Sequence, residues 1–257
     1  MKRVLAVIVA YQNRDLTEST VKHLLQQDIP MDIVVWDNAS SDDTAEWLKA
    51  QDGIQYYISP ENVMWTPALN AGINKFWNGQ EYLLIMNNDI NLPPHGVRML
   101  VEQATKPETG LCAPWGSSLG GQQDFAIHFD HNPVSEENIR DRIKDMPPLR
   151  TTFLMGACVM MRKSIYDEIG PFDEMMPLGA DDHDYAIRVK AKGYHIYVVR
   201  NFYAEHFGHA TGSFPNWNEH GDRSWAWFNE KWAGYYKTEE EAIKSHWGSE
   251  YVSGYDR

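Results

Sequence analysis

Short apolar runs that stop abruptly on polar residues punctuate the first half of the chain. Val4 to Ala10 ends on Tyr11-Gln12-Asn13, Ile33 to Trp36 ends on Asp37-Asn38, and Tyr82 to Met86 ends on Asn87-Asn88-Asp89. Runs of this length, bounded by polar residues, read as buried strands. Between them the period changes to that of a helix. Leu16, Thr20, Val21, Leu24 and Leu25 share one face of a helix predicted over Leu16 to Gln27. Ser40-Ser-Asp-Asp-Thr44 supplies cap candidates for a short helix to about Ala50. Thr66-Pro67 reads as the cap and first position of a helix to about Trp77, and Pro93-Pro94 precedes another over Gly96 to Ala104. Ile54 to Ser59 and Gly110 to Pro114 complete the strands of this half. Alternating strands and helices of these lengths predict right-handed crossovers and a mostly parallel sheet flanked by helices.

The pattern weakens after Pro114. Trp115 to Arg150 is polar and carries Gly120-Gly121 and Pro147-Pro148, which suits an insertion with one helix near Glu136 to Lys144. A strand is predicted over Phe153 to Met161 and another over Tyr194 to Val199. Helices are predicted over Lys163 to Ile169, stopped by Gly170-Pro171, and over Asp182 to Lys192, stopped by Gly193. The tail holds Trp217, Trp225, Trp227, Trp232 and Tyr235-Tyr236, rings that pack a terminal helix or line a sugar cleft. These features divide an α/β chain into a half over 1–114 and a second half over 115–257.

Composition narrows the class. The 257 residues are 43% hydrophobic and 12% aromatic, which fits a folded globular chain. No apolar stretch approaches the roughly 18 residues of a membrane span. The opening Met1-Lys2-Arg3 resembles the start of a signal peptide, but the run after it leads into Tyr-Gln-Asn-Arg-Asp without a cleavage site. Val4 to Ala10 therefore reads as a core strand, and the expected location is cytoplasmic, with a peripheral position on the inner membrane face left open. A net charge of −13 disfavours nucleic acid as a partner without excluding a local basic groove. Cys112 and Cys158 lie in apolar runs without metal-ligand spacing and read as buried thiols.

In an open α/β sheet, ligands collect at the carboxyl ends of the strands. Three polar strand tips in one half therefore suggest a nucleotide site. A lone carboxylate such as Asp89 at such a tip can hold a divalent cation against a phosphate. Asp37 just beyond a strand can accept a base N–H, although Asp, Asn and Ser also suit ordinary turns. A helix opening near Pro67 offers free N–H groups to an anion, with Asn70 and Gly72 expected in the turn that follows. Asp181-Asp182-His183-Asp184 opens a helix, where acids are favoured by the dipole alone and Asp184 can pair with Arg188.

The motifs together resemble family 2 glycosyltransferases with the GT-A fold, in particular the rhamnosyltransferase-like branch. The resemblance rests on Val9 to Arg14, Val35 to Thr44, Asn62 to Gly72, Leu84 to Asp89, Gly156 to Arg162, Gly170 to Asp173, Asp181 to Asp184 and His206. It implies a GT-A fold whose first half binds a nucleotide-sugar and whose second half binds the acceptor and carries the base. It also implies inverting transfer to an acceptor hydroxyl. Tyr11, Asn13, Asp37, Asn38, Asn62, Asn70 and Asn88 would line the nucleotide-sugar, with UDP- or dTDP-sugars favoured over GDP-sugars. Asp89 and His206 would hold Mn²⁺ or Mg²⁺. Asp182 would act as general base and Asp181 would orient acceptor hydroxyls, the reverse assignment staying open. Asn87 stands where the family usually has the first Asp of an Asp-x-Asp pair. That departure is what favours the alternative, a non-catalytic nucleotide-sugar or glycan-binding module.

Overall fold

The computed structural model describes residues 3–125, 136–208 and 217–235. Nine strands among them form one sheet in the order β3-β2-β1-β4-β8-β6-β9-β5, with β7 on the free stretch of β9. β1 (Val4–Ala10), β2 (Met31–Asp37), β3 (Gln55–Ile58) and β4 (Tyr82–Asn87) run parallel. β6 (Thr109–Gly116) and β9 (His195–His206) are parallel to each other. β8 (Cys158–Arg162) runs antiparallel between β4 and β6. β5 (Ile90–Asn91) and β7 (Leu149–Thr151) pair antiparallel with opposite ends of β9.

β1 shows why the sheet is central. Leu5, Val7 and Val9 join one core cluster and Val4, Ala6, Ile8 and Ala10 the other, so alternate side chains feed the two faces. The first face is covered by α3 (Trp65–Phe76), α6 (Lys163–Ile169) and α7 (Asp181–Ala191). The second is covered by α1 (Arg14–Leu25), α2 (Thr44–Lys49) and α4 (Gly96–Ala104). A strand covered on both sides reads as an unbroken apolar run. Gly72 lies in the middle of α3, not in a turn, and a Cβ there would come within 3.0 Å of Val7 Cγ1. Its role is the close approach of α3 to β1.

Three predicted boundaries shift. Pro67 is the third residue of α3, because Met64 makes the turn ahead of the helix at φ 72°, ψ 177°. Phe153 to Ala157 is not strand: the Met155 N–H goes to Gln123 Oε1 and the Gly156 N–H to Asp182 Oδ2, so those donors leave the ladder. β9 runs seven residues past Val199, through a register shift between the pairs Pro114–Val199 and Trp115–Tyr203. The polar Arg200-Asn201 at this bulge hides the continuation. Cys112 and Cys158 are fully buried free thiols, and burial raises both pKa values.

Two side-chain ties fasten the periphery. The Arg162 guanidinium donates to the carbonyls of Ala104, Lys106 and Pro107, at and just beyond the end of α4. Asp184 is fully buried and accepts from Arg188 Nε at 2.8 Å, Lys231 Nζ at 2.8 Å and Trp232 Nε1 at 3.0 Å. This joins α7 to α8 (Trp217–Lys231) and fulfils the Asp184–Arg188 pairing expected from spacing. Trp227 and Trp232 pack on the small core of Met176, Ala180, Ile187 and Phe228, as the packing reading of the aromatic tail requires. The α5 helix (Glu136–Ile143) matches the one predicted in the insertion. Tyr236 lies outside the described residues.

Asp184→Ala strands Arg188 and is expected to cost about 3 kcal/mol, the low end for breaking a buried pair, since Lys231 keeps Asp173. Urea unfolding measures this. A loss under about 1 kcal/mol would show that the site behaves as a solvated surface pair.

Candidate active site at the carboxyl edge of the sheet

The parallel course of β2, β1 and β4 brings their polar ends to one edge. Antiparallel β8 begins there, since Met86 pairs with Cys158 and the Asn87 N–H donates to the Ala157 carbonyl at 2.8 Å. β6 and β9 also end there, on Gly116 and His206. Hydrogen bonds stitch these tips together. The Gln12 N–H donates to Ser40 Oγ at 2.8 Å, and Asn88 Nδ2 donates to the Gln12 carbonyl at 3.1 Å and to Thr17 Oγ1 at 2.9 Å. Tyr11 follows β1 half-buried. Asn13 caps α1 in the left-handed region, with its carbonyl accepting from Leu16 and Thr17.

Asp37 is fully buried. Its Oδ1 accepts the Ser40 N–H at 3.0 Å, while Oδ2 is buried without a hydrogen-bond partner among the described residues. Burial raises its pKa against the lowering effect of Ser40, and Asp42 adds to the rise. Next to it, Asn38 donates to Asn62 Oδ1 at 3.0 Å and the Met64 carbonyl at 3.1 Å, and accepts from the Val63 N–H. Asn62 Oδ1 also accepts the Met64 N–H at 2.9 Å. The two amides thus clamp Met64 in a backbone region that essentially only glycine adopts freely. Trp65 follows, and its side chain acts to lower the Asp181 pKa.

Asp89 and His206 meet because β5 pairs antiparallel with β9, setting Ile90 opposite His206. The Phe207 N–H closes the contact on the Asp89 carbonyl at 3.0 Å. His206 Nδ1 lies 3.0 Å from the Ser118 carbonyl, which only a protonated Nδ1 can satisfy. In the neutral ring Nε2 then presents a lone pair toward Asp89 Oδ1, 3.3 Å away. Both atoms are buried, and among the described residues neither makes a well-formed hydrogen bond. Two acceptors facing each other call for a positive charge between them. A proton answers in part: burial disfavours the imidazolium, but Asp89 and the Ser118 carbonyl outweigh it and raise the His206 pKa. A divalent cation fits the same pair of donor atoms. Among the described residues no cluster of three or more His, Cys, Asp or Glu side chains is arranged to hold a metal. A bound substrate's oxygens and water are suited to add further ligands.

The acid pair opens α7 behind Ala180, which takes φ 65°. Asp181 is buried, and burial first and Asp182 second push its pKa up to about 8. Asp182 is less buried, and its Oδ2 accepts the Gly156 N–H at 3.2 Å. The chain from Asp182 through Gly156 and Ala157 to Asn87 ties the second half to the first-half tips. The Asp37, Asp89 and Asp182 loops therefore share one rim.

Asn70 does not belong to that rim. It sits in the middle of α3, and its amide donates to the Phe172 carbonyl at 2.8 Å and Glu174 Oε1 at 3.0 Å and accepts the Phe172 N–H at 3.1 Å. The helix register turns it toward the 170–174 turn, so it fixes that turn instead of lining a nucleotide. A cavity of about 440 Å³ lined by Asn70, Asp173, Arg188 and Lys231 lies on that side and touches none of the three carboxylates. Several rim residues escaped sequence reasoning: Gln12, Ser40, Trp65, Gly156, Ser118 and His183. All of these but Ser118 lie inside the motifs that carry the resemblance, but nothing in the sequence marks their contacts.

The glycosyl transferase family 2 model matches residues 5–170, more than half of the chain, which therefore belongs to that family and to the glycosyltransferases. An O-antigen biosynthesis protein RfbC of Myxococcus xanthus is 26% identical over 219 residues, 73% of this chain and 16% of the relative. An N-acetylglucosaminyl-diphospho-decaprenol L-rhamnosyltransferase of Mycobacterium tuberculosis is 24% identical over 216 residues, 72% of this chain and 70% of that protein. Two solved GT-A glycosyltransferases share the fold. The mannosyltransferase PcManGT from Pyrobaculum calidifontis, in complex with GDP-Man and Mn²⁺, gives a TM-score of 0.59 at 20% identity, covering 79% of this chain and 56% of that one. GalNAc-T7 with UDP, GalNAc and Mn²⁺ gives 0.63 at 17% identity, covering 94% and 54%. This chain thus spans little more than half the length of either structure. Among the described residues, no helix is long and apolar enough to cross a membrane.

Asp181 keeps its proton in the fold up to about pH 8 but releases it near the ordinary carboxylate value when unfolded. Its contribution to stability is therefore lost as pH rises toward that value. Asp181→Asn mimics the protonated acid. Its urea midpoint is expected to gain on that of the natural chain as pH rises from about 6 to about 9. A difference that stays flat over that range would show that the buried carboxyl is ionised in the fold.

Proposed function

We propose that this chain is an inverting glycosyltransferase, moving a sugar from a nucleotide-diphosphate sugar to an acceptor hydroxyl. The observation that carries the reading is the acid pair: one buried carboxyl beside a second, less buried one whose Oδ2 takes the Gly156 N–H at the strand-tip rim. An acid whose pKa is pushed up by burial and by its neighbour, set beside a less buried one, suits general-base chemistry. Asp182 takes the proton of the acceptor hydroxyl as that oxygen attacks the anomeric carbon. The bond to the diphosphate breaks on the opposite face, and the electron pair leaves with the nucleotide. A single displacement inverts configuration and needs no covalent sugar–enzyme intermediate. Asp181 stays neutral and orients acceptor hydroxyls.

Residues 1–114 form the nucleotide-sugar half in this reading, and 115–257 the acceptor half. The partnerless Asp37 Oδ2 supports a base N–H as its missing donor, with Tyr11, Asn13, Asn38, Asn62 and Asn88 shaping the loops around it. One free oxygen suits the single ring N–H of uracil or thymine better than the two donors guanine presents, which favours UDP- or dTDP-sugars. Asp89 and His206 would hold Mn²⁺ or Mg²⁺, and their facing lone pairs support that fit. When bound, the ion supplies positive charge against the departing diphosphate. The names of the rhamnosyltransferase and O-antigen relatives favour a glycan or lipid-linked glycan acceptor.

Asp182→Asn is expected to lower transfer from a panel of UDP- and dTDP-sugars by about 100-fold or more while leaving UDP or dTDP affinity within about twofold. Retained turnover would remove Asp182 from the base role. Nucleotide binding without product from any donor in the natural chain would favour the binding-module reading. Treatment with EDTA should suppress transfer and Mn²⁺ should restore it; full activity in chelator would reject the metal assignment.

A further inference from the structure

The neighbour of the proposed base carries chemistry that the reading above leaves unused. His183 Nδ1 lies 2.8 Å from Asp182 Oδ1, and the His183 backbone N–H donates to that same oxygen at 2.8 Å. The imidazole is held on three sides. Phe153 lies against it with centroids 4.0 Å apart and planes 33° apart, Trp225 meets it edge-on at 5.0 Å, and Phe228 at 6.0 Å. Such rings fix an imidazole plane without competing for its nitrogens.

An ionised carboxylate has only lone pairs to offer, so the short contact requires hydrogen on Nδ1. Oδ1 then accepts two N–H groups and its lone pairs are occupied. Oδ2 accepts one, from Gly156 at 3.2 Å, and keeps one lone pair. The two oxygens of Asp182 are therefore unequal.

We propose that His183 is a positioning residue that, through Nδ1–H, locks Asp182 so that Oδ2 alone receives the acceptor proton. This rests on the reading of Asp182 as general base. In the step itself the acceptor O–H bond breaks, its proton goes to Oδ2, and its electron pair forms the new bond to the anomeric carbon. The pair of the broken anomeric bond leaves with the nucleotide. His183 neither gains nor loses a proton; it holds Oδ1 throughout. The aromatic clamp makes that orientation independent of whether an acceptor is bound.

Two measurements on the full chain test this. Long-range ¹H–¹⁵N correlation on histidine-labelled protein, with the His183 signals identified by their loss in His183→Phe, reads the protonated nitrogen. Hydrogen on Nδ1 is expected in the natural chain, and a shift toward Nε2–H in Asp182→Ala. A bare Nδ1 in the natural chain would overturn the proposal. This arm needs no transfer activity, so it stands even if the glycosyltransferase reading fails.

The second arm uses UDP or dTDP release from UDP-glucose, UDP-N-acetylglucosamine and dTDP-rhamnose. His183→Phe keeps the ring contacts without the donor and is expected to lower kcat about tenfold or more, with UDP affinity unchanged, because misplacing a base by a fraction of an ångström is costly. His183→Asn restores a short N–H donor and should recover most of that loss. A kcat for His183→Phe equal to the natural value, or an Asn variant no better than Phe, would reduce His183 to packing.

Discussion

Everything at the carboxyl edge depends on one strand running the wrong way. β8 lies antiparallel between β4 and β6, so its first residue stands beside the last residues of β4. Only that direction lets the segment before it, Met155 to Ala157, arrive at the tips of the first-half strands. From there Gly156 reaches Asp182, and the Asn87 N–H reaches Ala157. A parallel β8 would begin at the opposite edge, some 15 Å away by strand rise, and the acid pair would have no link to Asp89. The two halves of the chain are joined by this reversal more than by any side-chain contact.

The backbone around that edge is held in unusual conformations. Gln12, Asn13, Ala39, Met64, Ser118 and Ala180 are the non-glycine residues with positive φ among the described residues. Each follows a strand at this edge or precedes a helix that starts from it. Such conformations cost on the order of 1–3 kcal/mol each and persist only when their surroundings over-determine them. Here the surroundings are visible: Asn38 and Asn62 hold Met64, Ser40 holds Gln12, and the Ser118 carbonyl is engaged by His206. The polar residues at the strand tips thus serve first to keep the loops in shape.

This explains what the sequence made legible. The parallel first half and the polar tips follow from apolar runs ending on Asn and Asp, because a strand covered on both faces leaves no ambiguity of period. Asp37, Asp89 and the acid pair were visible as carboxylates at those ends. The Asp89–His206 meeting was less so, since it depends on a two-residue strand and on β9 continuing past a bulge at polar residues. Asn70 misled because its place in a motif says nothing about which way α3 rotates it. Asn38 and Asn62 stand among the expected lining residues, yet their side chains bond each other and the Val63–Met64 backbone, a pairing that the sequence does not show. His183 was passed over as the spacer inside an acidic motif, and its importance lies in ring contacts from residues 30 to 45 positions away in either direction.

The far edge of the sheet is built differently. Lys106-Pro107-Glu108 is exposed and, by composition, looks like a loose connector of the kind that proteases nick. The Arg162 fork sews two carbonyls of that bend, and that of Ala104 before it, to the end of β8. With the His195 N–H donating to the Glu108 carbonyl and the Thr109 N–H to that of Lys106, a bend that looks open to cleavage has its backbone acceptors taken up by the sheet edge behind it.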